Sequence, residues 1–355
     1  RVRPDDLAAQ VVKGLVSKTG VNPDDIEDLI LGCAFPEGEQ GLNVARLIVF
    51  LAGLPNTIAG MTLNRFCGSS MQAIHIAVGA IQMNAGEVFI CAGLESMSRI
   101  PMGGYNYMPN PALYDTFPQA YIGMGDTAEN LALKYNIERK DQEAFALDSQ
   151  EKAYAAQQQG RFDDEIIPIT SKVGTVDKDG CLRPDSTAEG LAGLNPAFQT
   201  TGTVTAGTSS PLTDGAAAVL VCSEDYADAH KLPKLARIKS FAVSGCAPEI
   251  MGIGPVAATN KALARAGLKL DDIDIVELNE AFSAQSLAVL KELPIPLSKL
   301  NLDGGAIALG HPLGATGARI TGKAASLLQR EHKRYALATQ CIGGGQGIAT
   351  ILEAI

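Results

Sequence analysis

No two of the seven cysteines, at 33, 67, 91, 181, 222, 246 and 341, stand in CxxC spacing, so the sequence carries no signature of a zinc site or a dithiol redox centre. Their odd number and scatter also argue against a disulfide framework. They read as reduced thiols in a cytosol-like compartment, which makes the expected location cytoplasmic. No apolar run reaches the roughly 20 residues that cross a bilayer. The longest, near Val44 to Leu54, is interrupted by Arg46, so no integral membrane segment is expected. The opening residues lack a signal-peptide core, and no GKS or GKT completes a P-loop. Positive charge is short as well. The 29 Lys plus Arg against 39 Asp plus Glu give a net charge of -10, which argues against nucleic acid as a main partner. Any polyanionic ligand must be held locally. What remains is a chain of 355 residues, 46% hydrophobic and 19% charged, with material for two domains and a large core.

The sequence repeats itself. Gly20 to Leu29 has an ungapped counterpart at Gly267 to Val276, and in each copy a helix ends at glycine, a polar turn follows and a short apolar strand begins. Those strands are expected at Leu29 to Cys33 and Ile273 to Leu278. The first copy continues through a Gly/Ser turn into a helix striped with Met71, Ile74, Val78 and Ile81, then a strand at Glu87 to Ala92. The second continues through Gly304 to Gly317 into a helix with Ile320, Ala324, Leu327 and Leu328 inward. Strands at Tyr335 to Cys341 and Gly347 to Leu352 close it. Alternation of this kind predicts layered α/β packing. Between the copies lies a Pro-, Tyr-, Gly- and Gln-rich stretch with helices expected at Thr127 to Tyr135 and Arg139 to Gln159, and Asp214 to Cys222 returns to a strand. We divide the chain into a first half over 1–231, with an inserted loop domain over about 98–211, and a second half over 232–355.

Cys67, in Asn64-Arg65-Phe66-Cys67-Gly68-Ser69-Ser70, stands where a strand gives way to a helix. Backbone N–H groups and the helix dipole there favour a thiolate, so a lowered thiol pKa is expected. The plain alternative is a small buried hydrophobe, which free cysteine often is. His311 lies in a loop of five glycines, suited to taking a proton from a thiol or, equally, to satisfying loop carbonyls. Cys341 ends a strand before Gly343-Gly344-Gly345, whose N–H groups could face an oxyanion or simply form a hairpin. Asn279 follows a strand and could orient a water, while Glu280 beside it could cap the next helix. His75 reads as a packed side chain, and His230 and His332 as solvated ones.

Taken together, in this order, these segments and Val204-Thr205-Ala206-Gly207-Thr208-Ser209-Ser210 resemble the thiolase family over nearly the whole chain. The resemblance implies a duplicated, layered α/β/α/β/α fold whose inserted loop domain binds coenzyme A. It implies a tight homodimer, often paired into a homotetramer, and leaves room for a hydratase/dehydrogenase partner subunit. It also implies a ping-pong acyltransferase with no permanently bound cofactor or metal, using CoA as co-substrate and acyl-CoA as partner. Cys67 would attack the 3-keto carbon, His311 activate it, and Cys341 move the C2 proton. Gly343 with Cys67 would form one oxyanion hole, and Asn279 with His311 the other. Arg183, Phe198, Ala206, Ser210, Met251, Ala281 and Phe282 would bind CoA.

The pattern also departs from the family. Its opening strand is absent, with Arg1 already at the start of the first helix, and Glu292-Leu293-Pro294-Ile295-Pro296 reads short. We expect the sequence to omit residues there. Gly123, where short-chain members carry histidine, together with Arg65 and the ending Gly345-Gln346-Gly347-Ile348-Ala349-Thr350, favours a degradative enzyme of fatty-acid β-oxidation. The rival is an acetoacetyl-CoA thiolase. A decarboxylating ketosynthase fits less well, because it would not use a cysteine at 341. A non-catalytic acyl-CoA carrier would have no need of all four side chains.

Overall fold

The computed structural model describes residues 2–355. Arg1, expected at the first helix, lies outside the described residues, and that helix, α1, runs Pro4–Thr19. It closes on Gly20 in the left-handed region at φ 69°, as the helix Gly254–Ala266 closes on Gly267 at φ 67°. Both glycines take a backbone conformation that costs other residues a steric penalty. The repeat in the sequence is thus a repeat in structure.

Each copy builds a four-stranded sheet. The first contains β1 (Asp28–Gly32), β2 (Ala59–Leu63), β3 (Val88–Ser96) and, beyond a small hairpin of β4 (Ile169–Ser171) and β5 (Gly174–Val176), β6 (Asp214–Cys222). Its order is β2-β1-β3-β6, parallel except for β6. The second contains β7 (Arg237–Gly245), β8 (Ile275–Leu278), β9 (Tyr335–Ile342) and β10 (Gln346–Glu353), in the order β7-β10-β9-β8. There β8 and β9 run parallel, and β10 is antiparallel to both of its neighbours.

Two helices lie between the sheets: α3 (Ser69–Gln82), which follows α2 (Val44–Leu51) and β2, and the helix Thr316–Arg330. Along β1, Leu29 and Leu31 pack with Val12 of α1 and Ile48 of α2, while Ile30 packs with Ile74 and Ala77 of α3. Strands covered on both faces are buried throughout, and β3 and β9 are mostly apolar, the exceptions being Glu95, Ser96, Thr339 and Gln340. The second sheet is covered outside by Ala258, Ala262 and Leu263, and inside by Ile320, Ala324 and Leu327. The layers therefore read α/β/α/β/α. Each large aliphatic side chain buried this way stabilises the fold by about 1.5–3 kcal/mol.

The two inner helices cross closely at their N-terminal ends. A Cβ on Gly317 would overlap the backbone of Met71, and the Ser70 hydroxyl accepts the Ala318 N–H at 2.8 Å. Close approach of two backbones is what glycine permits there.

Several expectations shift. The strand expected at Glu87 to Ala92 continues to Ser96 and so carries Glu95 inward. The inserted helices run Met124–Lys134 and Arg139–Gln158. β2 and β7 carry too weak an apolar pattern to be read from sequence, since both are edge strands with partly exposed residues.

Candidate active site

The turn that carries Cys67 is strained. Phe66 sits at φ 42°, in the left-handed region, and its neighbours hold it there. Its N–H donates to Asn64 Oδ1 at 2.7 Å, and its carbonyl accepts the Ser69 hydroxyl at 2.6 Å. The Ser69 hydroxyl in turn accepts the Arg65 N–H at 2.9 Å. Cys67 is thereby fixed ahead of α3 and packed against Ala34 and Leu313, two residues from His311.

The expected lowering of its thiol pKa does not hold. Burial pushes the Cys67 thiol up to about 12, with the carboxyl of Glu95 adding to the rise. The backbone N–H groups of Gly343 and of Cys67 itself face the sulfur and offset part of this. The start of a helix does favour an anion, but loss of solvation outweighs it here, so the resting sulfur is a thiol. Cys341, on β9, is 1% exposed and its thiol is also raised, by burial and then by the charge of Cys67 nearby.

His311 sits in the turn before Thr316–Arg330, with its backbone N–H on Thr213 Oγ1 at 3.0 Å. Nδ1 lies 2.6 Å from Thr316 Oγ1, and Nε2 lies 3.4 Å from Asn279 Nδ2. Burial drives the ring pKa down to about 3, helped by the Arg319 charge, and keeps the imidazole neutral. Asn279 follows β8 directly, and its buried Oδ1 has no hydrogen-bond partner. An unpaired buried amide oxygen is costly unless a ligand or water meets it. Glu280 does not cap the next helix as expected. It is buried, accepts Ser149 at 2.6 Å, Asn301 at 2.7 Å and the Ile307 N–H at 3.2 Å, and so props up the 304–310 loop.

Three bracing residues, Gln340, Glu95 and Thr316, escaped sequence reading, and Arg65 and Gln346, singled out there, join them. Gln340 Nε2 donates to the carbonyl of Cys67, locking the Cys67 turn to the strand that carries Cys341. Arg65 Nη1 donates to Gln346 Oε1 at 3.1 Å, and Gln346 Nε2 to the Gly343 carbonyl at 3.3 Å. Glu95 and Thr316 complete the set. Thr316 lies inside the Gly304 to Gly317 motif, but nothing in its residue type singles it out. His75 is buried as expected, stacked on Phe241 with ring centroids 4.1 Å apart.

Of the residues expected at CoA, Met251, Ala281 and Phe282 pack in one cluster with Cys341. Phe198 meets Phe282 edge to face at 5.8 Å, and the Ser210 N–H donates to the Ala281 carbonyl at 3.0 Å. Ala206 and Arg183 share a small cavity with Gln150, Ser186 and Ser209. A groove of about 1380 Å³ runs along β6, and none of the expected site residues lines it.

A duplicated five-layer fold that buries a thiol beneath two backbone donors, near a second thiol and against the turn that carries a neutral imidazole paired with an amide, defines the class of cysteine acyltransferases. Comparison with known proteins narrows this. The thiolase N-terminal domain family matches residues 1–225, and the thiolase C-terminal domain family matches residues 232–354. The chain belongs to the thiolase family. It is 47% identical to a 3-ketoacyl-CoA thiolase of Bacillus subtilis, over 99% of this chain and 93% of that protein. It is 49% identical to one of Aliivibrio fischeri, over the same shares. The crystal structure of human mitochondrial 3-ketoacyl-CoA thiolase in complex with CoA superposes with a TM-score of 0.91 at 41% identity, covering 99% of this chain and 92% of that one. Among the described residues, no helix is long and apolar enough to cross a membrane.

Proposed function

We propose that the chain is a degradative 3-oxoacyl-CoA thiolase, cleaving its substrate with CoA into acetyl-CoA and an acyl-CoA two carbons shorter. The observation that carries this is the meeting of Cys67 with the Gly343 N–H, the His311 turn and Cys341, drawn from both halves of the chain. Relatives named 3-ketoacyl-CoA thiolase over nearly full length support it.

In this reading His311 Nε2 takes the Cys67 proton as the sulfur attacks C3. Both groups are neutral at rest, so transfer in step with attack passes the charge to the substrate oxygen, where the N–H groups of Cys67 and Gly343 receive it. Donors aimed this way are worth about 2.7–4 kcal/mol each. The C2–C3 bond then breaks, its electron pair leaving with acetyl-CoA as an enolate. Asn279, through a water, and His311 stabilise the enolate oxygen while the Cys341 thiol protonates C2. Free CoA attacks the acyl-Cys67 thioester, giving its proton to Cys341, and restores the thiol.

CoA serves as co-substrate, held by Arg183, Phe198, Ala206, Ser210, Met251, Ala281 and Phe282. The two halves meet near residue 231, and residues 98–211 form the loop domain. We place the enzyme in the cytoplasm as a homodimer or homotetramer, with room for a hydratase/dehydrogenase partner. The exposed edge strand β2, beside Phe50 and Leu51 of α2, supports self-association.

Mass spectrometry of the intact protein after brief exposure to a 3-oxoacyl-CoA tests the reading. An adduct of the shortened acyl chain is expected, absent in Cys67→Ala. Faster cleavage of acetoacetyl-CoA than of longer substrates would move the assignment to the four-carbon enzyme, and no adduct would overturn it.

A further inference from the structure

The His311 ring stands in a row of hydrogen-bonding groups that all point one way. Thr316 Oγ1 donates to the Pro312 carbonyl at 3.2 Å and lies 2.6 Å from His311 Nδ1. A carbonyl only accepts, and a hydroxyl has a single proton. That carbonyl already accepts the Ala315 N–H at 2.8 Å and the Thr316 N–H, so the far side of the ring sets the direction. Asn279 presents its NH₂ group, a donor, to Nε2 at 3.4 Å, so Nε2 accepts, Nδ1 carries the hydrogen, and Thr316 accepts it with its own proton turned to Pro312. Thr316 and Asn279 are 0% and 1% exposed, so no bulk water competes for either bond. Thr316 cannot swing away, since it opens the helix Thr316–Arg330 and its own N–H is held by the Pro312 carbonyl at 3.1 Å.

We propose that Thr316 is a positioning residue that selects the tautomer of His311, holding the ring hydrogen on Nδ1 and leaving the Nε2 lone pair bare to receive the Cys67 proton. The inference rests on the reading of His311 as that acceptor. Proton balance is simple. Sγ loses a proton, Nε2 gains it, and the ring becomes a cation whose Nδ1–H still rests on Thr316. No group beyond Pro312 moves. A carboxylate in place of Thr316 would stabilise that cation and hold the proton. A neutral hydroxyl backed by a carbonyl does not, so the ring returns the proton readily, as a two-stage reaction requires.

The test compares Thr316→Val, which keeps the shape and removes the hydroxyl, with Thr316→Ser, which keeps the hydroxyl. Loss of a general base costs about a hundredfold or more, so Thr316→Val should lower kcat by about that factor with KM changed less than about threefold. Thr316→Ser should recover most of the rate. In parallel, the wild-type enzyme labelled with ¹⁵N-histidine should show His311 neutral, with Nδ1 protonated and Nε2 bare. A Thr316→Val enzyme as fast as wild type, or a Thr316→Ser enzyme as slow as Thr316→Val, overturns the proposal. So does a wild-type spectrum with hydrogen on Nε2, and that measurement decides even if Thr316→Val fails to fold. Should wild type not cleave 3-oxoacyl-CoA at all, the activity reading falls while the spectrum still settles the tautomer.

Discussion

The carboxylate of Glu95 accepts the backbone N–H of Gly314 at 3.0 Å, tying the end of β3 in the first half to the turn that carries His311 in the second. The same oxygen takes the Ala34 N–H at 2.7 Å, and the other takes Gln40 Nε2 at 3.0 Å. Glu95→Gln would aim an amide NH₂ at groups that are themselves donors. We expect a loss of about 2 kcal/mol in urea unfolding and a fall in kcat larger than any rise in KM. Unchanged stability and rate would show that the tie carries no load.

Because burial raises the Cys67 thiol to about 12, the thiolate fraction should grow tenfold per pH unit throughout the range where the protein is folded. Iodoacetamide labelling, read at the peptide containing Cys67, should climb without a plateau from pH 7 to about 9.5. Saturation below pH 8 would mean a preformed thiolate–imidazolium pair.

Glu277, on β8, is fully enclosed and its Oε1 has no partner. Burial raises its carboxyl to about 8 despite the cations of Arg319 and Lys323, with the charges of Asp303 and Glu165 adding to the rise. A carboxyl raised by folding contributes stability that is complete below its unfolded pKa of about 4.3 and drains away as pH climbs to the folded value. Stability should therefore decline from pH 5 to pH 8. Glu277→Gln should flatten that decline, as urea midpoints across the range would report. A slope identical to wild type would remove Glu277 from the account.

Gly317→Ala would press a methyl group into the backbone of Met71, where the inner helices cross. Overpacking of this kind costs about 1–3 kcal/mol, and we expect the thermal midpoint to drop with it. A small residue tolerated there without loss would mean that the crossing relaxes freely.

Phe198→Ala removes one ring of the edge-to-face pair with Phe282. Such pairs contribute about 0.5–1.5 kcal/mol, so KM for CoA and KM for the 3-oxoacyl-CoA, which carries the same CoA group, should each rise about fivefold with kcat near wild type. Unchanged KM for both substrates would place Phe198 outside the CoA site.

Much of this was legible in the residues. The Gly20 and Gly267 caps, the apolar runs of β1 and β9, and the Asp214–Cys222 strand follow from local chemistry, because glycine in a left-handed cap and a doubly covered strand each leave a short-range signature. The glycine-flanked Cys67, His311 and Cys341 stood out in the same way. What sequence could not show is long-range. The rise of the Cys67 thiol depends on burial by segments from both halves, and Thr316, Gln340 and Glu95 matter through partners that only folding brings near. β2 and β7 escaped because, unlike the edge strand β6 with its apolar run, they interleave polar residues along partly exposed edges.

The crossing of α3 with the helix Thr316–Arg330 has a consequence for biogenesis. During synthesis residue 67 emerges long before the β9–β10 hairpin, and until that hairpin docks, Cys67 lacks the Gly343 donor. A nascent or half-assembled molecule thus carries only an ordinary thiol, and the capacity to split acyl-CoA switches on only when the final strands have closed against the rest.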